Sequence, residues 1–273
     1  MGRKTGKTAM VVLLGLAALS FLYPFYWMLA ASFTKEEYIG QLLFVPNEFT
    51  FDNYLQMFKK IPIGRAFFNS TVVALLVTAG VIVTSSMTGY ALAKLDFKGR
   101  STLFYVLIFT MTLPFQITLI PNYITMVKLN WVDNLVALVI PALNNAFAIL
   151  LFRQAFQQLP DALVAAARVD GCKEWTIVYR ILMPNAVPTI ITVGIITFMN
   201  VWNDVMWPLI VIRDENLMTM PQLVTLFAVG GRAEAQLGVK LASSVLLALP
   251  IFVAFLFFQK RFIRSLAASG LKD

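Results

Sequence analysis

Six stretches of the chain carry no charged side chain over lengths that suit a bilayer crossing. They are residues 8–34, 66–93, 101–127, 134–152, 181–203 and 241–259, with 27, 28, 27, 19, 23 and 19 residues. A helix needs about 20 mainly apolar residues to cross a hydrocarbon core about 30 Å thick. That layer holds no water, so each crossing segment must satisfy its own backbone N–H and C=O groups, as a helix does. A transmembrane barrel would show short alternating strands, and these runs do not alternate. The expected fold class is therefore all-α, a polytopic membrane protein with six transmembrane helices near 9–32, 67–93, 102–125, 134–153, 185–210 and 239–259. Composition agrees: 59% hydrophobic and 13% charged residues, against about 45–50% and about 25% in soluble domains. A seventh run, 216–231, holds Asn216, Pro221, Gln222 and the pair Gly230-Gly231. It reads as an amphipathic periplasmic segment, with a re-entrant piece as the alternative.

The basic residues orient the spans. With the N-terminus inside, the inner segments hold 14 of the 22 Lys and Arg residues and the outer segments 8. Lys94, Lys98 and Arg100 crowd one tight inner turn. An excess of basic residues marks the cytoplasmic side, so both termini are expected to be cytoplasmic. The first run follows Arg3, Lys4 and Lys7, as in a signal peptide, but it far exceeds the apolar core of one and reads as a retained span. The net charge of +8 is thus a topology signal; no basic stripe lies on a soluble domain, so nucleic acid is not an expected partner.

Several chemistries are excluded. The chain has no His and one Cys, so imidazole metal sites, Cys-Cys metal motifs and Ser/His or Cys/His catalysis are absent. The segment Gly2 to Thr8 resembles a phosphate loop, but it has one residue too few between its glycines and no preceding strand. No engine for ATP hydrolysis is visible, and no catalytic residue, metal site or cofactor is expected in this chain. Polar residues within the spans include Asn144, Asn145, Asn200, Asn203 and Asp204. Small polar residues often serve as helix-packing groups, whereas larger ones tend to face a wet interior. Asn144, Asn145, Trp202, Asn203 and Asp204 are the candidates for a substrate pathway, although Asp204 also suits the outer water interface. In the outer loop at residues 33–65, aromatics interleave with charges, which fits either an ordered cap or an aromatic belt.

The inner loop, residues 154–184, is the most informative. Pro160 through Gly171 reads as one short helix, with Pro160 at its start, Asp161 at the positive end and Gly171 at its stop. A second helix, 173–183, is expected to stop at Pro184. A helix lying on the membrane wants large apolar residues on one face. Ala165, Ala166 and Ala167 instead permit close approach by another protein, which favours a docking handle over a surface-lying loop.

Pro160–Gly171, followed by Ile181-Leu182-Met183-Pro184, resembles the "EAA" loop of bacterial ABC importer permeases, whose usual form is P-x-x-L-x-E-A-A-x-x-D-G and then I-x-L-P. The likeness extends along nearly the whole chain. Tyr23-Pro24-Phe25-Tyr26-Trp27, Thr50-Phe51-Asp52-Asn53-Tyr54, Trp202-Asn203-Asp204 and the tail Arg264–Lys272 are similar to maltose-type (MalG-like) carbohydrate permeases. The resemblance implies a type I importer (MetI-like) permease fold in the bacterial inner membrane, and it implies partners: a second homologous permease, two cytosolic ATPases that carry ATP and Mg, an extracytoplasmic solute-binding protein, a sugar substrate and membrane lipid. It also implies that Ala165, Ala166, Arg168, Val169, Asp170, Gly171 and Glu174 contact the ATPase. The family's glutamate is Ala165 here, so an ion pair through that side chain cannot form. The alternatives are another solute, such as glycerol phosphate or a peptide, or an ion-coupled transporter. The latter would need intramembrane carboxylates, of which only Asp204 qualifies.

Overall fold

A computed structural model describes residues 2–41, 44–46, 48–229 and 236–270. Gly230-Gly231 and the last residues of the tail, 271–273, lie outside these. Among the described residues the chain is helical and forms no strand beyond an isolated bridge between Thr34 and Phe49. The helices are α1 (Gly2–Ser32), α2 (Asp52–Lys60), α3 (Ile63–Lys94), α4 (Arg100–Thr110), α5 (Phe115–Lys128), α6 (Val136–Val139), α7 (Ala146–Gln157), α8 (Asp161–Val169), α9 (Glu174–Thr176), α10 (Met183–Asn185), α11 (Val187–Trp202), α12 (Met206–Val211), α13 (Met220–Val229) and α14 (Leu237–Gly270).

The spans are less regular than six straight helices. Two segments, Met10–Ser32 and Ile63–Lys94, are long and apolar enough to cross unbroken. Three more form bent pairs: α4 with α5 at 100°, residues 136–143 with α7 at 42°, and residues 174–185 with α11 at 90°. By length and composition this makes up to five crossings. The expected sixth, 239–259, falls on α14, whose described apolar part, Leu237–Val253, is shorter than a crossing. Each break has a local cause. Pro114 precedes α5 in an extended conformation, Asn144 and Asn145 are both extended between Leu143 and α7, and Ala186 lies between Pro184 and Pro188. Proline removes a ladder hydrogen bond and crowds the preceding turn. The expected fifth span, 185–210, is also interrupted at Asn203–Val205, between α11 and α12.

The chain divides into two units, Met1–Gly64 with Leu223–Pro250 and Arg65–Gln222 with Ile251–Asp273. In the first, described residues between Ser32 and Tyr54 are tied to one another. Asn53, on α2, donates to the carbonyls of Ser32 at 2.9 Å and Thr34 at 2.8 Å. Phe33 packs against the rings of Phe49, Phe51 and Tyr54. The Glu36 carboxylate accepts from the backbone N–H groups of Leu237 (2.5 Å) and Gly238 (2.9 Å), satisfying the start of α14. In the second unit, Val73, Val77 and Val81 of α3 share a buried cluster with Phe152 and Phe156 of α7 and with Ile177, Val178 and Leu182. Backbones approach closely there: a Cβ on Gly89 would lie 2.7 Å from Phe152 Cβ and 2.9 Å from the Arg153 nitrogen. Small residues permit such crossings where lipid gives helices little hydrophobic reason to associate.

Candidate coupling loop and translocation cavity

α8 starts one residue after the expected Pro160, which stands just ahead of it in an extended conformation. Its end is a Schellman turn. The Cys172 N–H reaches the Ala167 carbonyl at 2.9 Å, the Gly171 N–H reaches Arg168 at 3.0 Å, and Gly171 is left-handed with φ +76. Val164 and Ala167 face inward, whereas Leu163, Ala165, Ala166, Val169 and Asp170 are exposed, Val169 by 87%. The second helix departs from expectation. After α9, residues Ile177–Leu182 form a π-helix, and Pro184 sits inside the following turn instead of stopping it. The wider turn gives room to the proline ring, which in an α-helix clashes with the carbonyl four residues earlier.

Two sets of polar bonds fasten this loop to the C-terminal end of α3. Arg168 Nε lies 3.0 Å from Glu174 Oε1, and its Nη2 lies 3.1 Å from the Tyr90 hydroxyl, which in turn donates to Glu174. Lys94 Nζ donates to the Leu159 carbonyl at 2.6 Å and to Asp161 Oδ1 at 2.5 Å. The Arg168 guanidinium, and then the Tyr90 hydroxyl, hold the Glu174 carboxyl below its ordinary range. Lys94 does the same for Asp161. Sequence reasoning named Arg168 and Glu174 but not their anchors, Tyr90 and Lys94. Tyr90 is 84 residues from Glu174, and the signal for it was only a polar residue near the end of a span.

A cavity of 870 Å³ opens among α4, α5, α7, α11 and α12. Asn144, Asn145 and Asp204 line it, as do Asn122, Asn200, Phe115, Phe147 and Trp207. Asn145 also caps α7, its Oδ1 accepting from the Ala148 N–H at 2.9 Å. Asp204 Oδ1 faces the Trp207 N–H at 3.4 Å, and the Trp207 indole donates to the Ala137 carbonyl at 2.8 Å. Asn203 and Trp202 do not line this cavity. Asn203 turns back to the Met199 carbonyl on its own helix at 2.8 Å. Trp202 is buried against Phe198 and Phe67, with ring centroids 5.8 and 5.5 Å away. Asn122 and Asn200 were missed as candidates, although each gives the same signal as Asn144, an amide within an apolar run of sequence.

The family described as "Binding-protein-dependent transport system inner membrane component" matches residues 85–268. The arabinooligosaccharides transport system permease protein AraQ of Halalkalibacterium halodurans is 34% identical over 281 residues and covers 100% of both chains. The lactose transport system permease protein LacG of Rhizobium radiobacter is 31% identical over 94% of this chain and 93% of its own. A chain from the crystal structure of a bacterial ABC transporter involved in the import of the acidic polysaccharide alginate superposes with a TM-score of 0.85 at 23% identity, over 95% of this chain and 97% of that one. This last likeness concerns the fold. The chain therefore belongs to the binding-protein-dependent transport system inner membrane components, and it is a permease subunit of an ABC importer rather than an enzyme.

Proposed function

We propose that this permease carries a carbohydrate across the bacterial inner membrane and receives its driving motion through α8. The observation that carries the coupling reading is the two-sided build of α8. One side is tied to α3 through Tyr90, Lys94, Arg168 and Glu174, and the other presents the small apolar surface of Ala165, Ala166 and Val169. In this reading one of two cytosolic ATPases seats on that surface, a second permease completes the pathway and an external binding protein delivers solute. The same reading takes α14 as a sixth crossing, which puts both termini in the cytoplasm. A route from loop to cavity is available along α3: the Thr84 hydroxyl donates to the Leu143 carbonyl at 3.2 Å, next to Asn144 and Asn145. Nucleotide state would shift the equilibrium between outward-open and inward-open forms in proportion to its differential affinity for them.

The cavity chemistry supports a carbohydrate over glycerol phosphate. Its lining offers amides, hydroxyls and aromatic faces, and its single charged residue, Asp204, is acidic. Such groups bond hydroxyls and cover sugar rings; a phosphate would want Arg or Lys. The test is to reconstitute the chain with its partner subunits and binding protein, then measure ATP hydrolysis with oligosaccharides, glycerol phosphate and peptides. Stimulation by an oligosaccharide is expected; stimulation by glycerol phosphate or peptide alone would overturn the substrate reading. Val169→Glu, which puts a charge on the outward face, is expected to release the ATPases during co-purification. Retention of the ATPases with full activity would overturn the coupling reading.

A further inference from the structure

We propose that a second cavity, at the turn between α3 and α4, binds a phosphate group, and that the lipid leaflet on the coupling-loop side supplies it as an anionic phospholipid headgroup. The location rests on the orientation proposed above. The cavity measures 530 Å³, and Arg100, Arg153, Ser101 and Thr102 all line it. The two guanidiniums converge on one acceptor: Arg100 Nε reaches the Leu92 carbonyl at 2.9 Å and Arg153 Nε reaches it at 3.4 Å. Arg153 is also held over the Phe104 ring, 3.8 Å from its centroid, so it is fixed in place. Arg100 uses one further N–H, on the Ala93 carbonyl at 2.9 Å, and both side chains keep donors to spare.

The charges at this turn do not balance. Among the described residues neither arginine has a carboxylate partner. Asp96 also lines the cavity, but it is exposed and pairs with neither of them. The positive end of α4 points into the same place. Its cap is Gly99, which offers no side-chain acceptor, and its first turn holds no acidic residue. Helices ordinarily favour an anion there. Two guanidiniums and a bare helix start thus share one cavity whose acidic residue, Asp96, pairs with neither arginine, while Asp161, which feels Arg100 at a distance, is held by Lys94. The lipid source follows from α4 itself. None of its residues is buried, so Leu103, Val106 and Phe109 meet acyl chains, and Tyr105 (70% exposed) lies near the cavity mouth. Basic pockets at the cytoplasmic ends of spans suit anionic headgroups.

The assembled transporter, delipidated in detergent, is titrated with phosphatidylglycerol, phosphatidylcholine or inorganic phosphate and followed by native mass spectrometry and thermal melting. Phosphatidylglycerol is expected to bind and to raise the melting temperature, with phosphatidylcholine much weaker. Arg153→Gln should weaken phosphatidylglycerol binding about tenfold, the worth of one charge-assisted hydrogen bond. Ser101→Glu guards against misfolding: it adds the acidic residue that α4 lacks in its first turn, keeps the melting temperature without lipid and abolishes the lipid shift. A shift given by inorganic phosphate alone, and lost in Ser101→Glu, would overturn the lipid source. Equal binding of both lipids, or wild-type binding in both variants, would overturn the site. Orientation is read separately, by labelling Lys98→Cys in a Cys172→Ser background from the inside, so each idea stands or falls on its own measurement.

Discussion

At its N-terminal end α3 is held by neutral, buried groups. Asn69, 5% exposed, donates to the carbonyls of Asn216 at 2.9 Å and Met218 at 3.0 Å, and the Ser70 hydroxyl accepts from the Met220 N–H at 2.7 Å. At its C-terminal end the helix's own Tyr90 and Lys94 are just as buried, 3% and 4% exposed, but the groups they bind are ionised and stand largely in water: Arg168 and Glu174 are exposed, as is Asp161. Breaking a buried neutral bond leaves polar backbone groups without partners, at about 1–3 kcal/mol for each group. Breaking the Arg168–Glu174 pair, exposed on both sides, costs about 0.2–1 kcal/mol, because water and salt replace it. One end of the helix is anchored and the other is latched by bonds cheap enough to remake during a transport cycle.

Four substitutions test that contrast. The largest effect is expected on the latched side from Gly171→Pro. The native φ of +76 is closed to proline, which is locked near −65°, so the Schellman turn cannot form. Sugar uptake should be abolished while the protein still inserts; persistent uptake would remove α8 from the coupling path. Next comes Asn69→Ala on the anchored side, which should lower stability by about 2 kcal/mol or more and do so equally at low and high salt. A strongly salt-dependent loss would erase the distinction between the two ends. Glu174→Gln should cost less, about 0.2–1 kcal/mol, and the cost should shrink as salt screens it. Because Arg168 and Tyr90 depress the carboxyl's pKa in the folded state, its contribution is complete above the ordinary value of 4.5 and is lost as pH falls through the lower folded value. The gap between wild type and variant, followed by thermal melting, should therefore be flat near neutrality and close only in acid. The smallest effect is expected from Arg65→Ala. Its 3.3 Å contact to Asn216 is exposed, and melting should move by less than about 0.5 kcal/mol.

The charge pattern made up to five of the six expected spans legible, and the residue pattern of 160–171 made the short helix α8 legible, because both depend on local composition. Pro160 and Gly171 bracketed α8 to within one residue at its start and two at its end. Pro184 misled, since a π-turn accommodates a ring that an α-turn would reject. The candidate pathway residues stood out as polar groups in apolar surroundings, but their facing was not legible. Asn144, Asn145 and Asp204 reach the cavity, whereas Asn203 folds back on its own helix and Trp202 packs into an aromatic cluster. Helical position depends on where each break falls, and the breaks at Asn144-Asn145 and Asn203–Val205 reset the phase. Tyr90 and Lys94 stayed hidden because their partners lie 84 and 67 residues away, and only the packed structure joins them.

The way α8 is closed has a consequence for its history. Its stop is made by backbone bonds around a glycine, and its attachment uses Val164, Ala167, Arg168 and Asp161. None of this draws on the side chains at 162, 165, 166 or 169. Those outward positions carry no folding duty, so they are free to drift in step with whatever surface they meet. An alanine at 165 in place of the family's glutamate leaves the loop's shape untouched. On the docking reading proposed above, this chain and an ATPase seated there are thereby able to change their shared vocabulary together, one contact at a time.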